Sequence, residues 1–139
     1  MDLVFLGLAE VLEIHRDQLL RYGGASGIRD INLLKSSLAM PSATYSGEFL
    51  HTDVYEMAAS YLFYLVKNHP FIDGNKQVGA VAAFVFLALN GHDFEPQEDD
   101  FAEMVLAVAR GEITKAEVAV FIRRWSRGSK GSGAVNREP

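Results

Sequence analysis

At 139 residues, 49% of them hydrophobic, the chain is long enough to close one core but not two. A net charge of −5 speaks against DNA as a partner, because a nucleic-acid surface demands a basic face. The absence of cysteine removes both a disulfide framework and a thiolate metal site. Met1-Asp2-Leu3 carries no basic region ahead of an apolar stretch. The longest nearly unbroken apolar run, residues 78–89, is too short to span a bilayer. The expectation is a cytoplasmic protein with no membrane partner.

In chain order, Leu8, Val11, Leu12, His15 and Leu19 recur at helical spacing, and Gly23-Gly24 stops the helix. Asp30 reads as the N-cap of a short helix through Leu34 and Leu38 that Pro41 ends. Residues 42–52 resist a helical reading. Their glycine turn at Gly47, flanked by β-tolerant residues, suits a short hairpin, an extended flap or a plain loop. Asp53 and Glu56 have capping-box spacing, and Val54, Met57, Ala58, Tyr61, Leu62 and Leu65 follow on one face. A helix over Asn75–Leu89 is apolar nearly all round, which places it at the centre of the domain. Two more helices are predicted, over about residues 97–110 and from the capping box Thr114/Glu117 to about Trp125. The fold class is all-α: about six helices around a central apolar one, with a short β-like flap as an option. Residues 1–125 make the domain. Residues 126–139, mostly Gly, Ser and charge, read as a disordered tail. The basic runs at Arg123-Arg124 and residues 127–130 read as solvated charge at a helix end.

Chemistry concentrates between the two most apolar helices, in His69-Pro70-Phe71-Ile72-Asp73-Gly74-Asn75-Lys76-Gln77. Pro70 ends the preceding helix near Asn68 or His69. Asp73-Gly74-Asn75 turns directly into the central helix, whose unpaired N–H groups and positive dipole end form an anion site. Gly74, having no Cβ, lets a phosphate approach the backbone. Lys76 in the first turn opposes the dipole, at a cost of roughly 0.3–1 kcal/mol, unless an anion docks there. Asp73 beside a phosphate makes sense if it holds magnesium, which takes one or two carboxylates plus phosphate oxygens. An imidazole exchanges its proton near neutrality, so His69 is placed to deprotonate an attacking hydroxyl.

Blander readings exist for each residue alone: helix stop, anchoring aromatic, turn, N-cap. An EF-hand fails, because counting from Asp73 puts Val78 where glycine belongs and Phe84 where the bidentate glutamate belongs. Zinc is disfavoured by scattered histidines and no cysteine. His15 reads as a satisfied core or groove-lining residue. Tyr61, Phe63, Tyr64, Phe84 and Phe86 read as core.

The segment resembles the motif of the Doc (death on curing) toxins, His-x-Phe-x-Asp/Asn-Ala/Gly-Asn-Lys-Arg, filled here by His69, Phe71, Asp73, Gly74, Asn75 and Lys76. The wider Fic pattern is matched through Pro70 as well. Tyr22-Gly23-Gly24, Gly27-Ile28-Arg29-Asp30, Leu33-Leu34, Ser37, Leu38 and Pro41 resemble the family's N-terminal region. Asn68, Phe86-Leu87, Leu89-Asn90-Gly91 and Ala109-Arg110-Gly111 are similar to its later landmarks. The likeness covers about residues 3–125.

The resemblance implies a Fic/Doc fold and a toxin of a toxin–antitoxin pair, with His69, Asp73 and Lys76 as catalytic residues. His69 would be the general base for a protein hydroxyl and Asp73 the magnesium-holding residue. Gly74, Asn75, Lys76 and position 77 would bind the phosphates of ATP. Lys76, where Fic adenylyltransferases have Gly, implies transfer of the γ-phosphate to a threonine of elongation factor Tu. Adenylyl transfer, or a decayed module that only binds nucleotide or antitoxin, is the alternative. Residues 42–52 would be the flap that aligns the target chain, and a short antitoxin segment would fold over a groove near the site. Position 77, Arg in the motif, is Gln77 here. A neutral amide cannot reproduce the charged fork of arginine, so a weakened or inactive form is expected.

Overall fold

Among the described residues six helices carry the fold, in the order α1 (Leu8–Tyr22), α2 (Ile31–Ala39), α3 (Val54–Asn68), α4 (Asn75–Leu89), α5 (Glu98–Ala109) and α6 (Lys115–Arg124). The computed structural model describes residues 2–128. Four helices start where a side chain accepts an otherwise unpaired N–H. Asp30 takes that of Leu33, Asp53 that of Glu56, Gln97 that of Asp100 and Thr114 that of Glu117. The Thr114/Glu117 box closes reciprocally, with Glu117 accepting from the Thr114 N–H.

α4 runs through the middle as its composition predicts, but it shares that position with α3. Nine residues of α3 are buried against seven of α4, and α3 is flanked by α2, α4, α5 and α6. α4 leaves a stripe to solvent, where Phe84 is 39% and Leu89 51% exposed. The two helices meet at Gly79, where an added Cβ would lie 2.8 Å from Val66 Cγ2 and 3.1 Å from the Leu62 carbonyl oxygen. That close approach is what lets Val78, Ala82, Ala83 and Phe86 pack on Tyr61, Leu62 and Leu65 in one core. The segment before α1 is clipped over this pair. Tyr61 Oη accepts from the Leu6 N–H and donates to the Leu6 carbonyl, while Asn90 brackets Val4. Burial pushes the Tyr61 hydroxyl up to about 12.

Residues 42–52 form a hairpin, the first of the options left open by the sequence. β1 (Thr44–Tyr45) pairs antiparallel with β2 (Glu48–Phe49), and both strands are exposed. Ser46 and Gly47 both adopt positive φ, 53° and 83°, the geometry that a two-residue turn needs to match strand twist. A second ribbon corrects the boundary drawn at residue 125. β3 (His92–Phe94) pairs antiparallel with β4 (Ser126–Gly128), so three residues assigned to a disordered tail belong to the domain. Polar composition hid them, because a ladder of backbone bonds needs few apolar side chains. The rest of that predicted tail, residues 129–139, lies outside the described residues.

His51 follows the hairpin and is buried, with Nε2 3.0 Å from Lys115 Nζ. The ammonium can only donate, so Nε2 presents its lone pair and the ring is neutral. Burial, then the Lys115 charge, lower the His51 pKa from its ordinary 6.5, against opposition from Glu56 and the Pro41 carbonyl.

Two outcomes follow from this packing. Gly79→Val should cost roughly 1–3 kcal/mol in urea denaturation, as overpacking of a filled contact does. Stability should be full above pH 6.5 and fall as the pH drops through that value, because the unfolded chain takes a proton there that folded His51 resists. Melting curves from pH 8 to 5 should show a shallower acid decline for His51→Gln than for the native chain.

Candidate functional site

The site is built where α3 hands the chain to α4. α3 ends at Asn68, as Pro70 dictates, but His69 turns into the left-handed region (φ 53°, ψ 51°) instead of an extended one. This leaves the His69 side chain exposed, and among the described residues its ring makes no hydrogen bond. Pro70 and Phe71 then dive into the protein, Phe71 to full burial. Ile72 and Asp73 return to the surface, and Gly74 (φ 81°) begins α4.

Asn75 holds this excursion in place. Its side chain accepts from the Phe71 N–H and donates to the Phe71 carbonyl, both at 2.9 Å, and only 3% of the residue is exposed. The side chain is therefore turned away from solvent, and what Asn75 offers a ligand is its backbone N–H. Lys76 and Gln77, the next two residues, are exposed. The first helical bond runs from the Val78 N–H to the Gly74 carbonyl, so the N–H groups of residues 75–77 have no acceptor within the helix. Gly74 supplies no side-chain cap. The start of α4 is thus uncapped, with Asp73 just ahead of it and Lys76 in its first turn.

Asp73 is fully exposed yet firmly placed. One carboxylate oxygen accepts from the Ala25 N–H at 3.1 Å and the other from the Gly74 N–H at 2.9 Å. Those two bonds, with smaller help from the charges of Lys76 and His15, hold its pKa below the ordinary carboxylate value. Asp73 is therefore ionised and still has lone pairs to share. Gly24 is required beside it: a Cβ there would fall 2.9 Å from Asp73 Oδ2, and its φ of 121° is closed to most side chains.

Three contributors were not identified from the sequence as parts of this site. His15 of α1 stacks on Phe71 with ring centroids 3.9 Å apart, and its Nε2–H donates to the Asp73 carbonyl at 3.0 Å. The reading of His15 as a satisfied, groove-lining residue agrees with this, but no spacing in the sequence names its partner. Ala25 contributes only an N–H, which no side-chain pattern reveals. Arg29 donates to the carbonyls of His69 and Asn68. Residues 24–30 are thereby strapped along residues 69–73, with Ile28 bridging Phe71 and the Ile72 N–H bonded to the Gly27 carbonyl at 3.0 Å.

Among the described residues, no three His, Asp, Glu or Cys side chains are grouped to hold a metal, and no helix is long and apolar enough to cross a membrane. The site's assets are one exposed imidazole, one ionised carboxylate, one ammonium and a row of unpaired amides.

Comparison with known proteins adds relatives. A family model described as the Fic/DOC family matches residues 5–87. The chain is 32% identical over 116 residues to the protein kinase doc of Escherichia phage P1, covering 83% of this chain and 90% of that one. It is 33% identical over 106 residues to the toxin Doc of Mycolicibacterium smegmatis, covering 72% and 82%.

Asn75→Ala should strand the buried N–H and carbonyl of Phe71 and cost roughly 2 kcal/mol or more of stability, since each unsatisfied buried group costs about 1–3. Chemical denaturation reads this directly. A variant as stable as the native chain would show that the Asn75 side chain does not hold the loop.

Proposed function

The chain belongs to the Fic/DOC family, and we propose that it is a Doc-type toxin that phosphorylates a protein hydroxyl with ATP. The acceptor in this reading is a threonine of a translation factor of the elongation factor Tu class, so the protein acts in the cytoplasm and halts translation. The observation that carries the proposal is the uncapped start of α4, flanked by ionised Asp73 and exposed Lys76, one short loop from the exposed imidazole of His69. The names of the two relatives, a protein kinase and a toxin, support the same reading.

The residues fit a magnesium–ATP ligand. Magnesium binds through one or two carboxylates plus phosphate oxygens, and Asp73 is one carboxylate kept ionised with lone pairs free. The bound metal would supply charge neutralisation to the phosphates of ATP. The amides of residues 75–77 and the Lys76 ammonium would take the terminal phosphate oxygens, with Gly74 keeping the approach clear. His69 accepts the proton of the attacking hydroxyl as its oxygen bonds to the γ-phosphorus. The bond from that phosphorus to the bridging oxygen breaks, and ADP leaves with the electron pair. Most of the catalysis in such a transfer is positioning and charge stabilisation, which the braced loop provides.

The exposed β1–β2 hairpin fits a flap that aligns an extended target segment by strand-like pairing. Leu20, Tyr22 and Ile72, 77%, 72% and 52% exposed, lie on α1 and the site loop. They give an antitoxin segment an apolar surface on which to fold.

Gln77 stands at the third position of α4 and brings no charge to this phosphate site. We therefore read this form as weakened or inactive. Gln77→Arg should raise transfer by roughly 10²–10³, the usual worth of one donor aimed at developing charge. The assay uses elongation factor, magnesium and ATP labelled at either the α or the γ phosphate. Label from γ, lost on chelation of magnesium and in His69→Ala, is the expected result. Label from α would make the protein an adenylyltransferase, and label from neither would leave a module that only binds.

A further inference from the structure

Arg29 takes no part in the reaction above, yet its guanidinium grips the backbone that carries the proposed base. Its Nε–H donates to the His69 carbonyl at 2.6 Å, and its terminal NH2 donates to the Asn68 carbonyl at 2.8 Å. These carbonyls close α3, where an α-helix has no internal donors left to offer. The common remedy is a left-handed glycine followed by N–H groups that fold back onto the last turn. Neither part of that remedy exists here. The left-handed residue is His69, which carries a Cβ, and the next residue is Pro70, which has no N–H. A side-chain-bearing residue in this region is strained and persists only where its surroundings hold it.

Arg29 is suited to hold it. A guanidinium is a rigid planar fork that can reach two carbonyls at once, and its charge sits at the negative end of the α3 dipole. Its own backbone is fixed in turn. The N–H groups of Arg29 and Asp30 both donate to the Pro70 carbonyl, at 2.7 and 3.0 Å, and the Asp30 carboxylate caps α2 at Leu33. On the same side, the Asn68 amide donates to Ser37 Oγ of α2 at 2.9 Å. Residue 69 is thus flanked by an anchored charge on one side and by the descent of Pro70 and Phe71 on the other.

We infer that Arg29 is a positioning residue. By capping the last carbonyls of α3 it fixes the left-handed backbone at His69, and with it the aim of the imidazole at the incoming hydroxyl. This deepens the function proposed above and rests on His69 being the proton acceptor. Arg29 acts through His69 without touching nucleotide, so its loss should appear in turnover and not in ATP affinity.

The test uses the full-length chain, with and without Gln77→Arg, and compares Arg29 with Arg29→Ala and Arg29→Lys. Arg29→Ala should lower kcat by roughly 10²-fold, the scale of a misplaced reacting group, with KM for ATP changed less than about twofold. Arg29→Lys keeps the charge without the fork and should fall between the two. Guanidinium ion added to Arg29→Ala should restore part of the loss. Independently of activity, the His69 ring resonance in ¹H–¹³C spectra should move in Arg29→Ala and shift back with guanidinium. An unmoved resonance with native kcat overturns the inference, as does a loss confined to KM for ATP, which would make Arg29 a phosphate ligand. If no form transfers phosphate, Gln77→Arg included, the function proposed above falls, while the ring resonance still decides whether Arg29 sets His69. Should Arg29→Ala fail to fold, Arg29→Gln, with a single amide NH2 and no charge, is read by the same criteria.

Discussion

The Asn75 side chain, bonded to both the N–H and the carbonyl of Phe71, is the contact on which the site depends. A loop that dips into a core must pair its backbone polar groups or lose a few kcal/mol for each one stranded. Asn75 satisfies both groups of Phe71 with one amide, and it does so from the first residue of α4. The dip and the helix start are therefore one rigid unit. Gly74 can then begin the helix without a capping side chain, which leaves the amides of residues 75–77 without an acceptor in the helix. The open start of α4 follows from the way its neighbour has been satisfied.

Around this unit the N-terminal third of the chain acts as a brace. α1 presses His15 flat against Phe71, and residues 24–30 run along residues 69–73 with a bridge, a bond to Ile72 and two bonds to Pro70. Asp73 owes its place to the Ala25 N–H, and Gly24 clears the space that its carboxylate fills. The brace explains why a conformation as unfavourable as a left-handed histidine can exist at a helix end. It also explains why a fully exposed carboxylate is held ionised by backbone bonds first and by neighbouring charges second.

Much of the architecture was legible because local signals agreed with global packing. The caps at Asp30, Asp53 and Thr114, the stop at Pro70 and the apolar run of α4 each state a boundary in a few residues. The hairpin at residues 42–52 could be offered only as an option, because two-residue strands leave almost no periodicity, and Ser46 at positive φ is not a residue that announces itself. Ser126–Gly128 was missed for a related reason: its partner His92–Phe94 is held by backbone bonds, to which composition is blind. At the site, the segment from His69 to Gln77 was found by residue type and spacing. The inward turn of Asn75, the donation from Ala25 and the grip of Arg29 depend on contacts across tens of residues, and one sequence carries no sign of them. The α4 helix was expected to be enclosed on every side, but its exposed Phe84 and Leu89 show that an all-apolar helix can keep one open stripe while α3 takes the more enclosed place.

The seam between α1 and the site loop joins residues that are distant along the chain: His15 meets Asp73 across 58 positions, Ala25 meets it across 48, and Arg29 meets His69 across 40. Loops of that length close late in folding, since their entropy must be spent before any contact rewards it. A ribosome releasing this chain would thus expose α1 and the 24–30 strap well before they have anything to brace. Any molecule that captured α1 in that interval would hold back assembly of the loop between α3 and α4 without ever touching that loop.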